Sequence, residues 1–381
     1  MELDPTQPRP IPRIDDPLLM IPGPSDVEDR VLAEMGRQVV AHYGAAWAEF
    51  FNETVDRLRR VLRTEGDVFI YAGSGRLGLD AAIGSLFEPG SAVLVVRNGH
   101  FGERLEALSL SHDLYVIPCD APWGAVVRGD AVAAVLDQHP EAVGVLVVHG
   151  ETSTDVLNPV EEIAGVAKER GRLVVVDAVS SAGAAPLEAG AWGIDVLVTA
   201  SQKGLGAPPG LVIVGVSRAA WAAIDARRDR IRGWSTNLAK WREYLRFRDY
   251  QPYYITMPVN VVRALRASLD AIEAEGLAGR IERHRAVSSL LRKRLSELGL
   301  TVEADPEFAL PTVTVFRCPA GVPAARLRDW LAAETGISVA TGLGAWQEDR
   351  IRVGHMGRNA SPEVIERFAS AVARGVAALA P

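Results

Sequence analysis

The stretch from residue 172 to 210, RLVVVDAVSSAGAAPLEAGAWGIDVLVTASQKGLGAPPG, limits the possible folds of this chain more than any other. Two runs within it, 173–176 and 195–199, are apolar, rich in β-branched residues and too short for a helix. They read as buried strands of a parallel sheet. The first leads into Asp177 and the second into Ser201-Gln202-Lys203. If the strands are parallel, Asp177 and Lys203 emerge at the same carboxyl edge, where open α/β sheets bind ligands. Taken singly, the Asp reads as a turn former or helix N-cap and the Lys as a solvated charge. Converging between apolar flanks, an acid and an amine suit pyridoxal 5′-phosphate. The amine forms a Schiff base with the aldehyde, and the acid keeps the pyridine nitrogen protonated.

A chain of 381 residues has room for two domains and a large core. With 48% hydrophobic and 23% charged residues, it has the composition of a globular enzyme. A formal net charge of −7 argues against nucleic acid or a membrane surface as partner. The two cysteines, Cys119 and Cys318, are far apart and lack metal-ligand spacing. Neither a disulfide framework nor a metal site is expected, and a reducing cytoplasm fits best. No apolar run approaches the length of a membrane span, and the N-terminus lacks a signal-type apolar segment.

Residues 1–17 are Pro-rich and polar and read as an arm. Helical spacing covers 27–38 and 46–63, the latter through Trp47, Phe50, Phe51, Val55, Leu58 and Leu62. A strand over 68–72 runs into Gly73-Ser-Gly-Arg-Leu-Gly78 and a helix to about Leu86. That glycine pattern after a strand matches a dinucleotide fingerprint. The next strand, 92–96, ends in Arg97 instead of an acid, so an NAD-type ribose contact is missing. On either reading, glycines let the backbone approach a phosphate and the helix start offers free N–H groups. Strands over 143–148 and 209–215 and helices over 158–170 and 219–228 continue the alternation typical of a parallel sheet with helices on both faces. Residues 229–252 show no clear period. Further on, 258–297 reads as two helices, 300–303, 311–316 and 349–353 as strands, and 324–335 and 362–379 as helices.

VVVDAVSSAG and GIDVLVTASQKGLGAPPGL resemble the class V aminotransferases of fold type I, in the alanine–glyoxylate and serine–glyoxylate (serine–pyruvate) branch. The similarity runs from Met20-Ile-Pro-Gly-Pro24 to Arg352-Val-Gly354. It implies an α/β fold, with a mainly parallel, seven-stranded type of sheet flanked by helices over 18–260 and a smaller α+β domain over 261–381. It also assigns roles. Lys203 and Asp177 are catalytic, and Ser74, Gly75 and Arg76 cup the cofactor phosphate. Phe101, in Asn98-Gly-His-Phe-Gly102, stacks on the cofactor ring, and Thr152, in His149-Gly-Glu-Thr-Ser-Thr154, bonds its phenolic oxygen. Val179 and Gln202 complete the pocket. Tyr253 and Thr256 match an element that reaches the neighbouring subunit's cofactor phosphate, which implies a homodimer with shared sites. Arg352 grips the substrate carboxylate, for which a planar fork is suited. Pro24 lies near the substrate mouth, and the turn there also reads as a plain turn. His42 and Tyr43 are candidate specificity residues, with core or interface packing for Tyr43 equally open. His100, by alternation, points away as a satisfied surface histidine.

The activity implied is ping-pong transfer of an amino group from a small L-amino acid, alanine or serine, to a 2-oxo acid, glyoxylate or pyruvate. Three alternatives stay open. One is (S)-ureidoglycine–glyoxylate aminotransferase, although His42 and Tyr253 stand where that branch reads the ureido group with Gln and Asn. Another is a lyase or desulfurase on the same scaffold, which needs an activated cysteine. The third is a nucleotide-binding oxidoreductase built on Gly73–Gly78, which leaves Lys203 without a task.

Overall fold

The computed structural model describes residues 17–380; the arm expected over 1–17 lies, except for Pro17, outside them. The central sheet has seven strands: β1 Asp67–Ala72, β2 Ala92–Arg97, β3 Tyr115–Asp120, β4 Ala142–Val148, β5 Leu173–Asp177, β6 Val196–Ala200 and β7 Leu211–Val216. Their order is β1-β7-β6-β5-β4-β2-β3. β7 runs antiparallel to both neighbours, and every other pairing is parallel. Strands β5 and β6 are buried along almost their whole length, which is why their sequences are continuous Val/Leu runs without alternation. Val148, Asp177 and Val198 stand side by side in the register, so β4, β5 and β6 end on one edge.

The helices are α1 Asp29–Met35, α2 Ala45–Leu62, α3 Gly75–Leu86, α4 His100–Ser111, α5 Gly129–Gln138, α6 Val160–Glu169, α7 Arg218–Ala226, α8 Leu238–Tyr244, α9 Val259–Glu275, α10 Leu277–Glu297, α11 Ala324–Thr335 and α12 Pro362–Leu379. α2 turns Trp47, Phe51, Val55, Leu58 and Leu62 to the core along one face. α3 lies directly on the sheet because Gly78 has no side chain. A Cβ there would come within 2.6 Å of Val212 Cγ2 and 2.8 Å of Val198 Cγ1. The unassigned segment 229–252 contains α8, started by Asn237, whose side chain accepts from the N–H groups of Ala239 and Lys240.

One large apolar cluster fills both faces of the sheet, from Trp47 to Ile272. A second joins α10, α11 and α12 to a three-stranded antiparallel sheet of β8 Val313–Arg317, β9 Ala340–Thr341 and β10 Arg350–Gly354, in the order β8-β10-β9. Leu18–Leu19 pair in parallel with Ile337–Ser338, and Met20 enters this second cluster. That segment therefore sits against the C-terminal part of the chain and not with the large sheet. The strand expected over 300–303 is reduced to a single bridge between Val302 and Phe316.

Candidate active site

Eight residues singled out in the sequence line one cavity of about 310 Å³ at the carboxyl edge of the sheet. Ser74, Gly75 and Arg76 come from the start of α3, Phe101 from α4, Asp177 and Val179 from the end of β5, and Gln202 and Lys203 from the turn after β6. Parallel β5 and β6 bring the acid and the amine together. Asp177 Oδ1 accepts from the Val179 N–H at 2.9 Å, which orients the carboxyl. Burial pushes its pKa up to about 6, against the pull of the Lys203 charge. Lys203 moves the opposite way, down to about 8, first through burial and then through the Arg352 charge. Its Nζ donates to the Pro22 carbonyl, and Ser25 N–H donates to the Gln202 carbonyl at 3.0 Å. The Pro22–Ser25 turn thus closes over the lysine, with Pro24 itself exposed.

Arg352, on β10, is buried and donates from Nε to the Thr341 carbonyl at 2.8 Å. Burial lowers its pKa to about 10, and Glu151 acts in the opposite sense. Thr152 is buried in the turn after β4.

The expectations for Tyr253 and for His42 and Tyr43 fare differently. Tyr253, expected to reach a neighbour's phosphate, is a core residue of its own chain. Its hydroxyl takes the Trp47 indole N–H and donates to the His42 carbonyl at 2.5 Å, and the Phe51 ring lies 4.8 Å away. Thr256 is exposed. His42 stacks on Tyr253 at 6.0 Å and Tyr43 lies exposed beside Tyr250, so neither lines the cavity of its own chain. His100 keeps its expected place outside the cavity, though not for the expected reason. It opens a helix, so strand alternation does not govern its direction. Its pKa is lowered by burial and then by Arg104, with Arg352 and Arg76 also acting on it, and Arg104 Nε donates to its Nε2 at 3.2 Å.

Glu151 was not singled out in the sequence, yet it is fully buried beside the cavity. Its Oε2 accepts from the N–H groups of Phe101 and Gly102, each at 3.0 Å. Its Oε1 accepts from Ser153 N–H at 3.1 Å and Ser153 Oγ at 2.5 Å. Burial raises its pKa to about 7, against the pull of those bonds. The same turn ends in Asp155, also fully buried. Asp155 pairs with Arg292 of α10 and accepts from the Val315 N–H at 3.0 Å.

The site suits pyridoxal phosphate by its own chemistry. It offers an amine with a lowered pKa, a buried carboxyl, and a helix start whose first N–H groups lack intrahelical acceptors. Ser74 occupies the N-cap position, but its hydroxyl makes no capping bond. Gln202 buries an amide oxygen with no partner among the described residues. Such groups are left for a polar ligand.

Fold and site together define a pyridoxal-phosphate enzyme of fold type I. The chain belongs to the aminotransferase class-V family, whose family model matches residues 25–359. It is 35% identical to an uncharacterised aminotransferase of Methanocaldococcus jannaschii, over 92% of this chain and 91% of the relative. A crystal structure of alanine–glyoxylate aminotransferase from Nostoc sp. superposes with a TM-score of 0.93 at 31% identity, covering 99% of this chain and 100% of that one. Ureidoglycine–glyoxylate aminotransferase from Bacillus subtilis superposes with a TM-score of 0.92 at 27% identity, covering 98% and 96%. The protein is a pyridoxal-phosphate-dependent transaminase.

Proposed function

We propose that the enzyme moves an amino group from a small L-amino acid, alanine or serine, to glyoxylate or pyruvate. The observation that carries this reading is Arg352, a buried guanidinium whose charge acts on Lys203. It can hold a substrate carboxylate by two parallel bonds and so present Cα to the lysine. Bound pyridoxal phosphate supplies an aldehyde carbon and an electron-withdrawing ring. Ser74, Gly75, Arg76 and Gln202 would hold its phosphate, Phe101 its ring face, and Asp177 the proton on its ring nitrogen. Lys203 would act as the base that takes the proton from the donor's Cα onto Nζ and gives it up to the cofactor's aldehyde carbon, across the amino nitrogen. Burial suits it to that task by lowering its affinity for a proton. That the Nostoc protein is an alanine–glyoxylate aminotransferase supports this choice of substrates.

The ureidoglycine reading finds less support, because the Tyr253 hydroxyl is already used within the core. For a desulfurase, Cys318 is unsuited: it is buried and its thiol is pushed up to about 12. The division into a cofactor domain over 18–260 and a small domain over 261–381 belongs to the same reading, with the two apolar clusters in support. So does a homodimer, for which Val39, Tyr43, Phe247 and Tyr250 leave apolar surface exposed near Thr256 in sequence or space. A cytoplasmic setting accords with two free, buried cysteines. No helix among the described residues is long and apolar enough to cross a membrane.

The deciding experiment is a visible spectrum of the purified enzyme before and after adding single amino acids without an acceptor. Bleaching of a yellow protein by L-alanine or L-serine is the expected result. A yellow protein that neither bleaches loses this donor assignment.

A further inference from the structure

Three consecutive amides at the start of α4 are held by side chains of the turn after β4. His100 N–H donates to Ser153 Oγ at 2.9 Å, and Phe101 and Gly102 N–H donate to Glu151 Oε2. The joint is closely fitted. A Cβ on Gly99 would stand 2.5 Å from both Glu151 Cγ and Ser153 Oγ, so only glycine lets the turn reach the helix start. A carboxylate at a helix N-terminus is favoured by the helix dipole, and four donors aimed at two oxygens are the partners of an ionised acid. Phe101 is therefore placed by its backbone, not only by packing of its ring.

We propose that Glu151 is a positioning residue that fixes Phe101 against the cofactor ring. Its side chain does not line the cavity. The inference rests on the aminotransferase reading, so the wild-type enzyme is first put through the bleaching test. A failure there removes the donor assignment and not this proposal, whose dichroism is read without substrate, whereas a normal wild type lets both be tested.

The test uses Glu151→Gln, which keeps the shape but removes the charge and turns one acceptor into a donor facing other donors. Four measurements are made at about pH 8.5, where the wild-type carboxyl is ionised. They are thermal unfolding of the cofactor-free protein, the visible circular dichroism of bound pyridoxal phosphate, the inhibition constant of propionate (a carboxylate with no amine), and steady-state kinetics. The expected variant folds and binds the cofactor with diminished dichroism. Propionate affinity stays at the wild-type value, since Arg352 and its bond to the Thr341 carbonyl are untouched. kcat falls about 10- to 100-fold without a rise in KM, as for a misplaced reacting group. Unchanged dichroism overturns the proposal. So does a loss of propionate affinity that tracks a fall in unfolding temperature, which marks a merely structural role. If Glu151→Gln does not fold, Ser153→Ala decides. It removes the clamp on His100 and one bond to Glu151 but leaves the charge. The proposal then requires reduced dichroism with wild-type propionate affinity, and any other pair of results overturns it.

Discussion

At the residue scale, the site rests on two groups whose burial moves their proton affinities toward each other. Asp177 has a native pKa of about 6, against an ordinary carboxyl value near 4. Between those two values the folded chain binds the proton more tightly than the unfolded one. Stability of the cofactor-free protein therefore falls as pH rises through that window, and above it the ionised group costs roughly 3 kcal/mol. Asp177→Asn keeps the bond from Val179. It should flatten this pH dependence and raise cofactor-free stability at neutral pH by up to about 3 kcal/mol, while kcat drops at least about 100-fold. Chemical denaturation at pH 4 and pH 7, run beside steady-state rates, checks both. Lys203→Ala should cost about 10²- to 10⁴-fold or more in transamination, with the unfolding temperature unchanged or raised. In the cofactor-free enzyme, the rate of yellow-colour formation on adding pyridoxal phosphate should rise through pH about 8, because only the neutral amine attacks. These two residues were legible because each ends a wholly apolar strand. Glu151 was not. A glutamate in a polar turn reads as solvated, and its burial arises only when the start of α4 docks on it.

At the scale of elements, legibility followed burial pattern. The continuous runs of β4, β5 and β6 announced themselves, and α11 and α12 begin and end where Pro and apolar spacing placed them. β3 did not stand out: it is an edge strand, alternately exposed, and carries Pro118, which only an edge tolerates. α8 hides in an Arg- and aromatic-rich stretch because its seven residues are too few to show a period. The close seat of α3 offers an element-level test. Gly78→Val drives a branched side chain into Val198 and Val212, lifting the helix whose start forms the phosphate cup. A loss of about 1–3 kcal/mol in stability is expected. Cofactor affinity, measured by equilibrium dialysis, should fall well beyond that of Gly78→Ala.

At the scale of the whole molecule, the sheet and the C-terminal layer meet at the turn that carries both Glu151 and Asp155. Asp155 and Arg292 form a buried ion pair, and stripping one partner leaves an uncompensated charge. Arg292→Met should therefore cost about 3–5 kcal/mol, read by denaturant titration, whereas replacing both residues with apolar ones should restore much of it. The homodimer proposal has its own measurement. Sedimentation should give a dimer, and Thr256→Ala should weaken cofactor retention without altering that state. The YxxT wording could not disclose that the Tyr253 hydroxyl is used at home, since its partners Trp47 and His42 lie some two hundred positions earlier. One end of the turn grips the backbone of Phe101 and the other the layer that bears Arg352. A change that reshapes the C-terminal layer for a new donor is thus transmitted to the aromatic face against the cofactor. In this scaffold, donor preference and cofactor tuning are not independent variables, and selection for one drags the other with it.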